Sequence, residues 1–462
     1  MGDYAGLQGT IDEIVREAID WHMQDNFWLK SGDGYRLQGA YGWTVPGPEA
    51  GAGAFPVSFE EPRSGTTMTY DFHSTVYEPL RESIQSQFDP WLTMPQPEDF
   101  GDVCTGSYAG MEKISAGQEI NGDSVTENVD LSAAVTGATD ACNGQQGETI
   151  KAFKARYMDR MPGVIRNHCA AAADLTEIAL GEQLLWRETQ KSLASTADAM
   201  LKAMQARSGG GGGEILLSIV GAALSIGSAI ATGGWSTVLT VAGAATGVGG
   251  TLAGGGEEQR VPLSGDDASA VIDSVHEVLV DLNEKIKAEE QALKDKATSR
   301  TGQMDGSDYD LSVPTSLYEP SEEDDYTGGG NMMQYQAELL ADLYSDGGHL
   351  ATIANQLRAS SSQLEGVSAF SAFSRATVGL VNDGPYSEWN ALRLQIIDFL
   401  ETNRQACLDA ADQLEIAAKF IGDTDTAVSQ ELGQHGDEVE NAQTFSLAPP
   451  PHVRPPGGFG GY

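Results

Sequence analysis

Positive charge is what this chain has least of. Lys and Arg number 27 against 67 Asp and Glu in 462 residues, a formal charge of −40. Such a chain repels phosphate backbones and anionic headgroups, which excludes nucleic acid as a partner and simple electrostatic adsorption to lipid. The acidity reads as solubility, with or without adaptation to salt. Cysteine is nearly as scarce: four occur, with no Cys-x-x-Cys, so no dithiol or zinc-ribbon motif is present. Cys104 and Cys142 fall in irregular sequence where a bridge could form in an oxidising compartment, whereas Cys169 and Cys407 sit in helical patterns as small core residues.

Signatures of chemistry are missing too. The seven histidines, His22, His73, His168, His276, His349, His435 and His452, are far apart, with no His-x-x-x-His and no second ligand at metal spacing. No Gly-x-Ser-x-Gly elbow occurs, and Gly247-Val248-Gly249-Gly250 lacks both the preceding strand and the Lys-Ser/Thr of a phosphate loop. Glu112 and Glu182 read as parts of solvated faces rather than an acid–base pair, and Trp186 and His168 as core and rim of a long helix. The expectation is a non-enzymatic protein with no catalytic, cofactor or metal residues. Met1 to Gly9 lacks a basic n-region, an apolar h-region and a cleavage site, so no general secretory signal peptide is expected and export would use another route.

What the chain does have is a long uncharged stretch, Gly209 to Gly256, free of charge between Glu214 and Glu257. It divides at Gly233-Gly234 into two arms, each near the lower limit for a membrane span of about 20 residues. The apolar positions are Ile215, Leu216, Leu217, Ile219, Val220, Leu224, Ile226 and Ile230 on the first arm. Trp235, Val238, Leu239, Val241, Val248 and Leu252 supply them on the second. The stretch reads as a helical hairpin, with small residues such as Gly221, Ser225, Gly243 and Gly247 at spacing that suits close approach. So much Gly disfavours spontaneous insertion. Two readings stay open: a hairpin buried in a soluble bundle or capped by a partner, and a segment that enters a bilayer after a trigger.

Around it the sequence predicts helices. Leu7, Ile11, Ile14, Val15, Ala18 and Ile19 share one side of a helix ending near Phe27; 30–69 reads as turns with one short hairpin. Phe72, Val76, Leu80, Ile84 and Phe88 mark a second helix, with Pro79 as a kink or its true start. The stretch 98–146 reads as a long connection, weakly helical over 125–141. A helix from Glu148, kinked at Pro162-Gly163, then runs to the glycines. Beyond them, Asp266 or Asp267 caps a helix bearing Val271, Val275, Leu279, Leu282, Ile286 and Leu293. The expected architecture is mainly α: elongated bundles of antiparallel helix pairs. Its parts are an N-terminal helical domain 1–300 carrying the hairpin 209–256, an acidic linker 301–330, a C-terminal helical hairpin 331–434 and a disordered Pro/Gly tail 435–462. Within the linker, Asp305 to Asp310 approaches a calcium loop but misplaces its glycine and terminal glutamate.

The C-terminal segment is the most specific. Leu343, Leu350, Ala354, Leu357 and Leu364 hold a three-four spacing, and Trp389, Leu392, Ile396, Phe399, Asn403, Ala406 and Ala410 repeat it before Leu414, Ala417 and Ile421. The helix-pairing candidates are Leu350, Leu357, Leu364, Trp389, Leu392, Ile396, Phe399 and Leu414. Through Leu350-x-x-x-Ala354-x-x-Leu357, Trp389-x-Ala391-Leu392, Ala410-Ala411 and Thr424-Asp425-x-Ala427, residues 346–432 resemble the WXG/EspC-like helical hairpins exported by actinobacterial type VII (ESX) secretion. The resemblance implies a secreted or envelope-associated protein that meets the secretion machinery or a small helical partner, with an export signal near Ile421, Thr424 and Asp425. Ile421 stands where the family carries Tyr, and the Trp-x-Gly turn is replaced by Trp389-Asn390-Ala391. Three functions follow as expectations: a type VII secretion substrate or effector with an exposed helical binding seam, a pore-forming protein inserting 215–252 as an oligomer into lipid, or an envelope scaffold.

Overall fold

The computed structural model describes residues 4–39, 42–61, 63–117, 119–120, 123–143, 148–208, 215–219, 259–263, 268–304, 306, 308–312, 337–373 and 384–444. The described part is mainly helical. Helix α1 (Leu7–Asp25) buries Leu7, Ile11, Ile14, Val15, Ala18 and Ile19, and Phe27, at a positive φ of 65°, reverses the chain into sheet. There the sequence expectation of turns with one hairpin falls short. Strands β1 (Trp28–Ser31), β2 (Gly34–Leu37) and β3 (Thr44–Pro46) form an antiparallel meander, and β4 (Val57–Glu60) pairs with β5 (Thr67–Tyr70). The aromatics scattered among Gly and Pro explain the excess. Trp43 stacks on Phe59 at 4.9 Å and Trp28 meets Phe72 edge-on at 5.3 Å, so the rings zip two small sheets that backbone pairing alone would hold weakly. Buried Asp20 of α1 ties the meander down, accepting from Tyr35 Oη at 2.5 Å and pairing with Lys30. Burial first, and this carboxylate second, hold the Tyr35 phenol far above its ordinary value.

A π-helical turn, His73–Tyr77, runs without a break into α2 (Glu78–Phe88), so Pro79 stands in the first α-helical turn while the helical run itself begins ahead of it. The stretch read as a connection holds α3 (Gly101–Lys113), short strands β6 (Glu119–Ile120) and β7 (Asp123–Ser124), and α4 (Val129–Asn143). After α5 (Glu148–Phe153) comes α6 (Met161–Ser208), 48 residues and about 72 Å long. Pro162, expected to kink it, opens it instead, where its missing N–H costs nothing. Helix α7 (Ala268–Gln303) runs antiparallel to α6; its expected cap, Asp266 or Asp267, lies outside the described residues.

One correction falls near the start of the uncharged stretch. Ile215 to Ile219, assigned to a helical arm, form strand β8, paired in antiparallel register with β9 (Gln259–Leu263). Four aliphatic residues in five, with Gly on both flanks, favour extended pairing over a helix start. The other membrane-interaction candidates, Val220, Leu224, Ile226, Ile230, Trp235, Val238, Leu239, Val241, Val248 and Leu252, lie outside the described residues.

In the C-terminal part, α8 (Ala337–Tyr344), α9 (His349–Glu365) and the single turn α10 (Phe370–Phe373) precede α11 (Tyr386–Thr444). Helix α11 extends through 435–444, where a tail was expected. A single hydrophobic cluster runs from Leu7 to Leu414 and includes Tyr309 and Leu311. The first residues of the supposed linker therefore belong to the core, and the C-terminal helices share that core with the N-terminal ones.

Candidate functional site

The helix-pairing residues come together. Leu350, Leu357, Leu364, Trp389, Leu392, Ile396 and Leu414 are all buried, and Phe399 is half-buried against the core. Arg393 donates to Leu364 O at 2.8 Å and Arg358 pairs with Glu401 at 2.8 Å, which sets α9 and α11 antiparallel. Helix α11 is also sewn to α6: the indole Nε1 of Trp389 donates to Leu175 O at 2.9 Å. An aromatic chain carries on through Phe373, 5.4 Å from Trp389, to Phe100. On its other side α9 lies close on α3 and α4. Ser360 Oγ donates to Gly110 O at 2.7 Å, and a Cβ on Gly110 would sit 2.8 Å from Leu364 Cδ2. The seam expected to face a partner is thus closed within the chain, because α3 and α6 supply the surface that a second hairpin would have offered.

A polar joint lies beside it, where α6, α7, α11 and residues 304–312 meet. Asp174 and Glu177, one turn apart on α6, are buried against Lys296 and Arg300 of α7; Lys296 reaches Asp174 at 3.2 Å and also pairs with Glu177. Burial works against the Lys296 ammonium, but the two carboxylates outweigh it and leave its pKa raised. Arg300 Nη1 donates onward to Tyr309 Oη at 3.2 Å. Three consecutive carbonyls of the strap are then taken by side chains of α6, α11 and the turn just before α6. Asp308 O accepts from Asn167 Nδ2 at 3.0 Å, Tyr309 O from Asn403 Nδ2 at 2.7 Å and Asp310 O from Arg160 Nη2 at 2.7 Å. Asn403 Oδ1 in turn accepts Leu311 N at 2.7 Å.

That last bond fixes the amide of Asn403, so its Nδ2 faces Tyr309 O and, at 2.8 Å, His168 Nε2. Asn403 can give one hydrogen to each only when the imidazole carries its own proton on Nδ1, which leaves that one N–H without an acceptor. Tyr309 O then lies 2.9 Å from Nε2 as a second acceptor around the same amide. Nδ1 is buried with no hydrogen-bond partner. His168 is fully buried, and burial pushes its pKa down to about 4, against weaker opposing pulls from Tyr309 O and Asp310. It is a core residue, where a rim was expected. Glu182, assigned to a solvated face, is likewise buried and accepts Trp186 Nε1 at 2.9 Å; Glu112 is half-buried.

Cys104 and Cys142 are free, buried thiols, pushed up to about 12 and about 11 by burial, so they form no bridge. The export-signal candidates Ile421, Thr424 and Asp425 all lie on α11. Among the described residues no group of three or more His, Cys, Asp or Glu is placed to hold a metal, and no helix is long and apolar enough to cross a membrane. The described residues make up a mainly α-helical protein with one hydrophobic core. Comparison with protein-family models, curated proteins and solved structures returns no match.

Proposed function

We propose that this chain is a non-enzymatic substrate or effector of type VII (ESX) secretion that travels as a self-contained helical bundle. The observation that carries the reading is the antiparallel pairing of α9 with α11, with Leu350, Leu357, Leu364, Trp389, Leu392, Ile396 and Leu414 all buried in it. That is the hairpin which the resemblance of residues 346–432 implies. Because α6 and α3 cover its outer faces, the chain needs no separate helical partner to close its apolar seam. Recognition by the secretion machinery is assigned to the stretch of α11 around Ile421, Thr424 and Asp425. Deleting residues 424–432 is expected to abolish release into the medium while the cell-associated pool stays folded. Equal release with and without the deletion, or equal release from cells with and without a working exporter, would sink the proposal.

A further inference from the structure

The geometry points to residues 308–312 as an acid-sensitive latch, with His168 as the sensor that releases this strap, and the hold of α11 on α6, when the ring gains a proton. The proposal is independent of how the chain leaves the cell. It rests on where the donors and acceptors stand.

Around the ring, α11 contributes the Asn403 amide and the Phe399 ring at 6.1 Å, neither of them charged. The strap contributes the Tyr309 carbonyl, the Tyr309 ring edge-on at 5.6 Å and the Asp310 carboxylate. Helix α7 contributes Arg300, through Tyr309 Oη and paired to Asp174; the turn just before α6 contributes Arg160, on Asp310 O. Protonation would place an N–H at Nε2 against the Asn403 NH₂, two donors 2.8 Å apart. It would also keep a charged Nδ1–H buried where no acceptor waits. The Tyr309 carbonyl, 2.9 Å from Nε2 and able to accept from it, and after it Asp310 pull the other way, but burial outweighs both. Asn403 cannot turn to relieve the clash, because its Oδ1 would leave the Leu311 amide and face Tyr309 O. The least costly relief is to open the joint, free the strap and let water reach the ring.

Opening should become easier as pH falls, since the open state binds the proton more tightly than the closed one. With the ring at its ordinary 6.5 when open and about 4 when closed, the open fraction rises roughly 25-fold between pH 7.5 and pH 5. The test is hydrogen exchange on the full chain, corrected for the intrinsic effect of pH, with the Leu311 amide as reporter. Supporting the latch, strap protection falls by that factor at pH 5 while α1 and the middle of α6 keep theirs, and His168→Gln removes the pH dependence. Strap protection that does not change with pH, a loss shared by every helix, or a His168→Gln chain that still responds like wild type would each overturn it. Should the variant not fold, the imidazole of the wild-type chain is followed by NMR. A ring neutral down to about pH 4 supports the latch, and one titrating near 6.5 in the folded protein ends it.

Discussion

At the scale of single residues, the joint depends on groups that cannot be removed one at a time. Lys296 faces two buried carboxylates, and Arg300 alone cannot serve both. Lys296→Met is expected to destabilise the fold by about 3–5 kcal/mol, because it strands charge away from water. Chemical denaturation would show it as a lowered midpoint with an unchanged slope. None of this joint was legible in advance. His168 and Tyr309 are 141 residues apart, Tyr309 and Asn403 94. Asn403 appeared only as one more seam position, and Tyr309 as part of a linker. Polar composition marked 305–310 as solvated, yet its backbone carbonyls find side-chain donors, which is what lets a polar stretch be buried. Glu182 misled for the same reason: a lone carboxylate in a helical pattern gives no sign of the indole beside it.

Among the elements, long periodic helices were readable and close-packed ones were not. Helix α1 and the pair α9 and α11 follow directly from apolar residues three and four apart, since that spacing makes one face wet and the other dry. Helix α3 was missed because Gly101, Gly106 and Gly110 read as loop. For Gly106 and Gly110 the reason is proximity: a Cβ on Gly106 would sit 2.8 Å from Val367 Cγ2, and one on Gly110 as near to Leu364 Cδ2, whereas Gly101 has open space around it. Helix propensity alone makes Gly110→Ala a gain of about 1 kcal/mol. Overpacking against fully buried Leu364 costs about 1–3 kcal/mol, so the substitution is expected to be net destabilising. A thermal melt in which Gly110→Ala raises the midpoint would show that α3 and α9 have slack between them. The strands went unseen for a different reason: their cohesion comes from rings that meet across two sheets, a relation with no sequence period.

At the scale of the whole molecule, the described residues share one core where the sequence suggested two regions and a linker. Composition drew the boundary at 301–330 because acidic residues, Pro and Gly dominate there. It could not show that Met304, Tyr309 and Leu311 would be buried against helices on either side. The shared core makes a prediction about truncation. A chain ending at residue 330 loses Trp389 from Leu175 and Asn403 from the strap, so it is expected to lack a cooperative unfolding transition. A sharp calorimetric transition from that fragment would restore the two-region view. Acid should weaken the intact chain as well. His168 is neutral when folded and takes a proton readily when unfolded, so stability present above pH 6.5 declines as pH falls toward 4, by about 3 kcal/mol in all.

The bond from Trp389 to Leu175 has a consequence for how such a molecule comes into being. A ribosome makes α6 long before α11, so the patch of α6 around Leu175 that Trp389 covers stays open through more than 200 further residues of synthesis. Closure must wait until α11 has been made. In the interval a chaperone has a target along α6, and the heavy negative charge of the nascent chain helps keep neighbours on the same messenger apart.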